Sequence, residues 1–148
     1  MSRDVQLQYA VPRKGVPGPA SFRRWVDLAC QGCEGSVLIR ITDETESAQL
    51  NHQYRGKSGP TNVLSFPFEA PAGVPMAHLG DLVICAPVVA REAAEQSKPV
   101  QSHWAHMVIH GVLHLRGFDH LSEAEAEVME TIETLLMAEL GHADPYAY

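Results

Sequence analysis

The sequence predicts an α+β fold, a single domain over residues 1–148 in which about five to six helices surround a mixed sheet of about four strands. Segments with strand and helix patterns follow one another in the order βαβαββααα, without repeats or a clear linker. The 148 residues are the length of one ordinary domain, and 45% of them are apolar. A strongly apolar helix that ends at a glycine turn is predicted to hold a metal site.

The N-terminal part has a strand–helix–strand pattern. Residues 4–10 (DVQLQYA) alternate apolar and polar side chains, as a half-buried strand does. Residues 21–30 (SFRRWVDLAC) space their apolar side chains like one face of a helix. Residues 36–42 (SVLIRIT) form a predicted strand rich in β-branched residues, and Asp43 with Glu46 then predicts the cap of a second helix.

The middle of the chain predicts two strands and two helices. Residues 61–68 (TNVLSFPF) and 79–86 (LGDLVICA) are predicted strands, and 70–78 (APAGVPMAH) is a predicted loop between them. A helix should run from Pro87 to about Lys98. Residues 102–115 (SHWAHMVIHGVLHL) follow as a strongly apolar helix.

The last helix has its own start signal. Ser122 and Glu125 match a capping box, in which each side chain caps a backbone N–H of the other residue. The face predicted to be buried contains five aliphatic residues, Val128, Ile132, Leu135, Leu136 and Leu140.

The charge of the chain is unevenly distributed. The formal net charge is −7 at pH 7, which by itself argues against a nucleic-acid-binding protein. Residues 1–116 contain 11 basic and 10 acidic side chains, whereas the segment after Arg116 contains eight acidic side chains and no Lys or Arg. The body of the protein can therefore still present a basic surface.

The sequence also predicts the cellular compartment of the protein. No segment approaches the roughly 18 apolar residues of a membrane-spanning helix, and the N-terminus lacks the apolar stretch of a signal peptide. We expect a soluble, cytoplasmic protein without membrane contacts.

Cys30, Cys33 and Cys85 are too few for a disulfide scaffold, and we interpret them as reduced, partly buried thiols. A functional CxxC pair at 30–33 is the alternative.

Three histidines close together give the strongest chemical signal (HGVLHLRGFDH, from His110). His110 and His114 are one helical turn apart, so their imidazoles can converge on one ion. Gly117 can end the helix in a left-handed conformation, which returns His120 toward the same point. Three protein ligands leave a coordination position open, as in catalytic zinc sites. A histidine-rich buried helix without a metal is the alternative.

The same spacing, HxxxHxxGxxH, occurs in metzincin peptidases. In those enzymes the residue after the first histidine is the glutamate that acts as general base, but this chain has Gly111 there. Such a base contributes on the order of 10²–10⁴-fold to the rate, so the acid–base equipment of a peptidase is missing. His106 lies about 12 Å from His114 along the helix at ~1.5 Å per residue and is predicted to pack nearby instead of binding the same ion.

A second motif lies at residues 51–68 (NHQYRGKSGPTNVLSFPF). Arg55 and Lys57 are predicted to lie in a Gly/Pro-containing loop just before a strand. The guanidinium of arginine is planar and permanently charged, and it can bind phosphate through two hydrogen bonds. For Arg55 taken alone, a solvated loop charge is the alternative.

Together with LGDLVICAP and HWAHMVIHGVLHLRGFDH, this motif resembles the YbeY family of bacterial endoribonucleases. The resemblance runs from about Leu50 to the closing LGHADPY, and the family pattern HGxLHLxGxDH is met at every position. Gly111 is thus the family's own residue. The resemblance implies a zinc-dependent, single-strand-selective endoribonuclease that acts in 3′-end maturation of small-subunit ribosomal RNA and in ribosome quality control.

The resemblance also implies one zinc ion per chain with three ligands, His110, His114 and His120. It further implies a functional role for Arg55. Around these residues we predict two carboxylates that orient a ligand or accept a proton, Asp119 and Asp81, with the capping of a turn as the alternative for Asp81. Two cations, Lys57 and Arg116, are predicted to contact RNA. Tyr54 is a candidate for stacking on a base, with core packing as the alternative.

The expected partners are single-stranded RNA, ribosomal RNA, small-subunit ribosomal proteins and a ribosome-associated GTPase. Two other functions stay open at this point: a metzincin-like zinc peptidase, and a non-catalytic ribosome-assembly factor with a structural zinc. The nucleophile, either a zinc-bound water or the 2′-hydroxyl of RNA, and the general base are also left open.

Overall fold

The structure, a computed structural model, describes residues 4–31, 35–69, 72–73 and 78–147. Within these ranges a sheet is formed by four strands, β1 (Val5–Tyr9), β2 (Ser36–Thr42), β3 (Val63–Pro67) and β4 (His78–Cys85). The strand order is β1-β2-β4-β3, in which β1, β2 and β4 run parallel and β3 pairs antiparallel with β4 at one edge. The mixed sheet predicted from the sequence is confirmed.

The described ranges contain five helices, α1 (Pro19–Ala29), α2 (Glu44–Arg55), α3 (Ala86–Glu95), α4 (Val100–Leu115) and α5 (Glu123–Glu139). The order of helices and strands is the predicted one. α1 begins two residues before the predicted segment, because the first turn of a helix accepts Pro19 without needing its missing N–H. The predicted cap of α5 is present, since the backbone N–H of Glu125 donates to Ser122 Oγ at 3.1 Å. None of the described helices is long and apolar enough to cross a membrane.

Helix α4 lies at the centre of the packing. Helices α1, α3 and α5 and strands β3 and β4 all pack against it. Trp104, Ile109 and Leu113 on α4 are buried, and the Trp104 ring meets Phe22 of α1 edge to face with 5.8 Å between ring centroids. Because α4 also contains His110 and His114, this packing holds the backbone of both histidines in place.

The buried face of α5 differs from the predicted one. Its buried residues are Met129, Glu133, Leu136 and Met137. Only Leu136 belongs to the predicted stripe, whereas Val128 and Leu135 are more than half exposed. Ile132 and Leu140 are partly buried and pack against the core, so the prediction was wrong for Val128 and Leu135. It assumed a purely aliphatic stripe, while the actual stripe includes the carboxylate of Glu133.

Some sequence predictions fall on residues outside the described ranges. Cys33 and most of the predicted loop 70–78 are among them. Cys85 is a buried free thiol, as predicted, and burial raises the pKa of that thiol. The interpretation of Cys30 as a reduced thiol is wrong, because Cys30 is disulfide-bonded.

Gly80 on β4 lies against the backbone of β3 and the side chain of Leu115 on α4. A Cβ atom added at this position would lie 2.6 Å from the carbonyl oxygen of Phe66 and 2.6 Å from Leu115 Cδ2. The carbonyl belongs to the backbone of β3, which cannot move aside without disturbing its pairing with β4. Gly80 thus keeps the edge strand close to the helix that contains the histidines.

We expect Gly80→Ala to lower the free energy of unfolding by about 1–3 kcal/mol, the usual effect of overpacking a well-packed core. The measurement is urea unfolding of the variant and the parent protein, followed by circular dichroism. Gly18→Ser is the matched control, because a Cβ at Gly18 meets nothing within 4 Å and serine is favoured at this N-cap position of α1. Equal stability of the two variants would contradict the proposed clash of a Cβ atom at Gly80 with β3 and Leu115.

Candidate metal centre

The C-terminal end of α4 turns the chain back on itself. Gly117 has φ +97°, a left-handed conformation that favours glycine. Its N–H donates to the carbonyl of His114 at 3.0 Å, and the N–H of Phe118 donates to the carbonyl of Leu113 at 3.0 Å. These two bonds form a Schellman motif, which satisfies the last carbonyls of the helix. The turn brings His120 back beside α4, as the sequence predicted.

The three histidines converge on one point. His110 Nε2 and His114 Nε2 are 3.2 Å apart, and one ring nitrogen from each of His110, His114 and His120 lies within 4.8 Å of the other two. A tetrahedral ion with Zn–N bonds of about 2.0–2.1 Å requires ligand nitrogens about 3.3 Å apart. The spacing of the first two donors therefore matches a tetrahedral zinc ion.

Glu133 lies behind this group and is completely buried. Its Oε1 accepts a hydrogen bond from His110 Nδ1, and its Oε2 accepts one from the Tyr146 hydroxyl. His106 Nε2 lies 3.5 Å from the same Oε2, and the His106 and Tyr146 rings meet edge to face. Burial raises the pKa of Glu133, but the interactions with His106, His110 and Tyr146 outweigh it and lower the pKa to about 2.

This carboxylate determines which nitrogen of His110 is available. An ionised carboxylate only accepts hydrogen bonds, so His110 must carry its proton on Nδ1. Its Nε2 then presents a lone pair toward His114. Burial, together with repulsion from the neighbouring histidines, lowers the pKa of His114 and favours its neutral form. Neutral imidazoles held by an outer carboxylate are the donors that zinc sites use, so these residues fit the metal.

Glu133 and Tyr146 were missed by the sequence analysis. The signal for Glu133 was present, because Met129, Glu133 and Met137 recur at helical spacing and an acidic residue at the middle of an apolar stripe needs a buried partner. His106, His110 and Glu133 form a second group with suitable donor spacing. Since Nδ1 of His110 already donates its proton to Glu133, the candidate metal site is the first group, which opens to solvent.

A cleft of about 710 Å³ opens over the histidines. Its lining includes the edge strand β3 and residues 117–121. Arg55 lies at the C-terminal end of α2, not in the predicted loop, and its exposed side chain lines the same cleft as His110 and His114. In the described part of the chain, no carboxylate forms an ion pair with Arg55.

The segment after Arg55 is tied to α2 by buried polar side chains. Asn51 Nδ2 donates to the carbonyl of Gly59 at 2.9 Å. Ser47 Oγ donates to the carbonyl of Thr61 and accepts from its N–H, both at 3.0 Å. These bonds fix the path from α2 to β3 and therefore the wall of the cleft on which Arg55 lies.

The other candidate residues have different positions. Asp119 lines the cleft, and its Oδ1 accepts from the backbone N–H of His120 at 2.8 Å. Asp81 is outside the cleft lining and pairs with His78 Nε2 at 2.6 Å. Arg116 donates to the carbonyl of Ala29 at 2.8 Å and lies over the Phe118 ring. Lys57 is exposed but also outside the lining. The structure thus brings only Asp119 close to the histidines.

Close packing against β4 explains why residue 111 is a glycine. A Cβ atom at this position would lie 2.7 Å from Cδ2 of Leu82, which is buried on β4. The position faces the sheet instead of the cleft, so a longer side chain there could not reach the open side of the histidine group. The general base of a metzincin peptidase has no place at this point of α4.

The fold and the site together define an α+β enzyme domain with a candidate three-histidine metal centre at the base of an open cleft. The sequence model of the family described as "Endoribonuclease YbeY" matches residues 21–141. The chain belongs to this family, which confirms the resemblance found in the sequence. Its relatives are named as endoribonucleases, which are hydrolases of phosphodiester bonds.

Two relatives named Endoribonuclease YbeY are similar over nearly their whole length. The protein of Methylococcus capsulatus is 59% identical, with 97% of this chain and 95% of the relative covered. The protein of Nitrosococcus oceani is 57% identical, with 99% and 98% covered. The solution structure of TM1509 from Thermotoga maritima matches with a TM-score of 0.59 at 23% identity, covering 97% of this chain and 99% of that one. This structural similarity supports the fold.

Proposed function

We propose that the protein is a zinc-dependent endoribonuclease that cleaves single-stranded RNA. The observation that supports this most is the placement of Arg55 and three convergent histidine nitrogens in one cleft. A cation suited to phosphate thus faces a donor set suited to zinc. Family membership supplies the RNA class of the substrate.

His110, His114 and His120 would hold the zinc ion, which supplies a Lewis acid for the scissile phosphate. Glu133 keeps the proton of His110 on Nδ1, so that Nε2 can act as a ligand. Arg55 binds the phosphate and stabilises the negative charge that develops on its oxygens. Asp119 lies beside His120 and is our candidate for orienting that ligand or accepting a proton.

Two nucleophiles are compatible with this arrangement and give different products. Attack by water leaves a linear phosphate and does not require a 2′-hydroxyl. Attack by the 2′-hydroxyl of the substrate leaves a 2′,3′-cyclic phosphate, and DNA would then be inert. We favour water, because three histidine ligands leave a position open for it.

In the cell, we propose action on the 3′ end of small-subunit ribosomal RNA and in ribosome quality control, with small-subunit proteins or a ribosome-associated GTPase as partners in the cytoplasm. The charge distribution is consistent with this. The acidic side chains after Arg116 repel RNA from α5, whereas a basic ribosomal protein would be attracted to them. Lys57 remains a candidate RNA contact beside Arg55.

Two other functions are less well supported. A metzincin-like peptidase needs a general base that Gly111, packed against Leu82, does not provide. A non-catalytic assembly factor with a structural zinc is expected to close the fourth ligand position, whereas the histidine group here opens into the cleft.

The decisive experiment compares His114→Ala with the parent protein. We expect about one zinc per chain in the parent protein and cleavage of single-stranded RNA, with both lost in the variant because two imidazoles hold the ion poorly. Zinc is measured by mass spectrometry, and cleavage is measured on one RNA and its DNA analogue. His52→Ala is the control, since His52 is exposed on α2 and does not line the cleft. Zinc without RNA cleavage in the parent protein, even on precursor ribosomal RNA, would favour the assembly factor.

A further inference from the structure

We propose that Tyr54 and Phe66 form a binding subsite for one unpaired nucleobase of the RNA, next to the phosphate that Arg55 holds. This proposal rests on the proposed function and deepens it, because it assigns the single-strand selectivity to particular side chains. Tyr54 precedes Arg55 at the end of α2, and Phe66 lies on the edge strand β3. Both side chains line the cleft over the histidines.

The position of Tyr54 is not that of a core residue. It is 59% exposed, and it is one of the few large apolar side chains of the described residues that lie open to water. Its ring meets Phe66 edge to face, with 5.1 Å between centroids and 72° between the ring planes. Such a pair is favourable by itself, so Phe66 holds the Tyr54 ring in one orientation while leaving much of it uncovered. The alternative of core packing for Tyr54 is thus excluded by its exposure.

The chemistry of the cleft favours a nucleobase as the occupant. Tyr54 and Arg55 are consecutive residues that both line the cleft, so an aromatic ring and a guanidinium without an ion-pair partner among the described residues border the same space. RNA repeats this pair of features at every nucleotide, a flat aromatic base next to a phosphate. Single-stranded nucleic acids are bound by this combination of aromatic platforms and positive charge. A peptide segment offers no recurring anion for Arg55.

The subsite predicts that a paired strand is a poorer substrate. In a duplex both faces of each base are stacked and its edge is paired, so no base can reach Tyr54 without being unpaired first. An unpaired base at a loop or a strand end can rotate onto the ring. Leu121, which also lines the cleft, is 84% exposed and offers a second apolar surface for a nucleotide.

The test measures binding of two RNA probes by stopped-flow fluorescence, before turnover. One probe is a short single-stranded RNA that contains 2-aminopurine, and the other is an abasic strand of the same length and charge, with a dye at its end. Both are applied to the zinc-loaded parent protein and to Tyr54→Leu, Tyr54→Phe and Phe68→Leu. Phe68 is the matched control, an exposed aromatic residue that lies outside the cleft lining and meets the His78 ring edge to face.

We expect Tyr54→Leu to weaken binding of the base-containing probe about 5-fold to 100-fold, the range for loss of one aromatic platform. Binding of the abasic probe should change less than twofold, and Tyr54→Phe and Phe68→Leu should bind both probes like the parent protein. An equal loss for both probes, or no loss for either, overturns the subsite. Stronger binding of an unfolded polypeptide than of RNA at the Tyr54 surface also overturns it.

The failure of the subsite can be separated from the failure of the proposed function. If the parent protein cleaves RNA and Tyr54→Leu does not discriminate between the probes, only the subsite is wrong. If the parent protein neither binds nor cleaves single-stranded RNA, both proposals are wrong. Zinc content and the unfolding midpoint of each variant confirm that Tyr54→Leu is folded and loaded.

Discussion

Replacing Arg55 by alanine should lower the rate of RNA cleavage about 10²- to 10³-fold while zinc content stays at the parent level. The exposed guanidinium lines the cleft with the histidines but contacts none of the three as a ligand. Its loss therefore removes stabilisation of charge on the phosphate without affecting the donor set. The measurement is single-turnover cleavage of one defined RNA, with zinc quantified in the same preparation.

Arg55→Lys separates charge from geometry. A lysine keeps the positive charge but cannot form the two parallel hydrogen bonds of a guanidinium, so we expect only partial recovery of the rate. Arg91→Ala is the matched control, because it removes one exposed arginine that pairs with Glu44 away from the cleft. If Arg55→Ala cleaves as fast as Arg91→Ala, Arg55 has no role in the reaction.

Replacing Glu133 by glutamine should weaken zinc binding about 10- to 100-fold, the usual effect of losing the partner that orients a histidine ligand. The neutral amide occupies the same volume, but it no longer requires the proton of His110 to stay on Nδ1. Neither does it retain the charge that interacts with His106 and His110. Competition with a chromogenic chelator at neutral pH measures the affinity without any RNA.

Glu127→Gln is the control for this change. Glu127 lies on the same helix, is exposed, and loses the same charge, so zinc affinity should remain at the parent value. An unfolding curve for each variant shows whether an altered affinity reflects the site or the whole fold. Parent-like affinity in Glu133→Gln would mean that the hydrogen bond to His110 does not govern the metal site.

The order of elements could be predicted because each one has strong local signals. β2 matches its predicted range of 36–42, since a run of β-branched residues ends at a helix cap. The short distance between the His110 and His114 side chains could also be predicted, because it depends only on the pitch of one helix. Gly117 could be assigned to the turn for a similarly local reason.

Features that depend on tertiary packing could not be derived in this way. Glu133 reaches His110 from another helix, and the spacing of 23 positions between them contains no geometric information. The buried face of α5 is rotated from the expected one, because an ionised group with buried partners lies where an aliphatic side chain was expected. The proximity of Arg55 to the histidines was expected only through the family resemblance, since β3 and β4 must pair before the cleft exists.

The position of Glu133 in the chain has a consequence for biosynthesis. Translation proceeds from the N-terminus, so a growing polypeptide contains His110, His114 and His120 before Glu133 and Tyr146 have been added. The sheet and α4 can assemble at that stage, but the tautomer of His110 is not yet selected. The proton of His110 is therefore fixed on Nδ1 only once α5 has packed against α4, so the C-terminal helix completes the candidate metal centre.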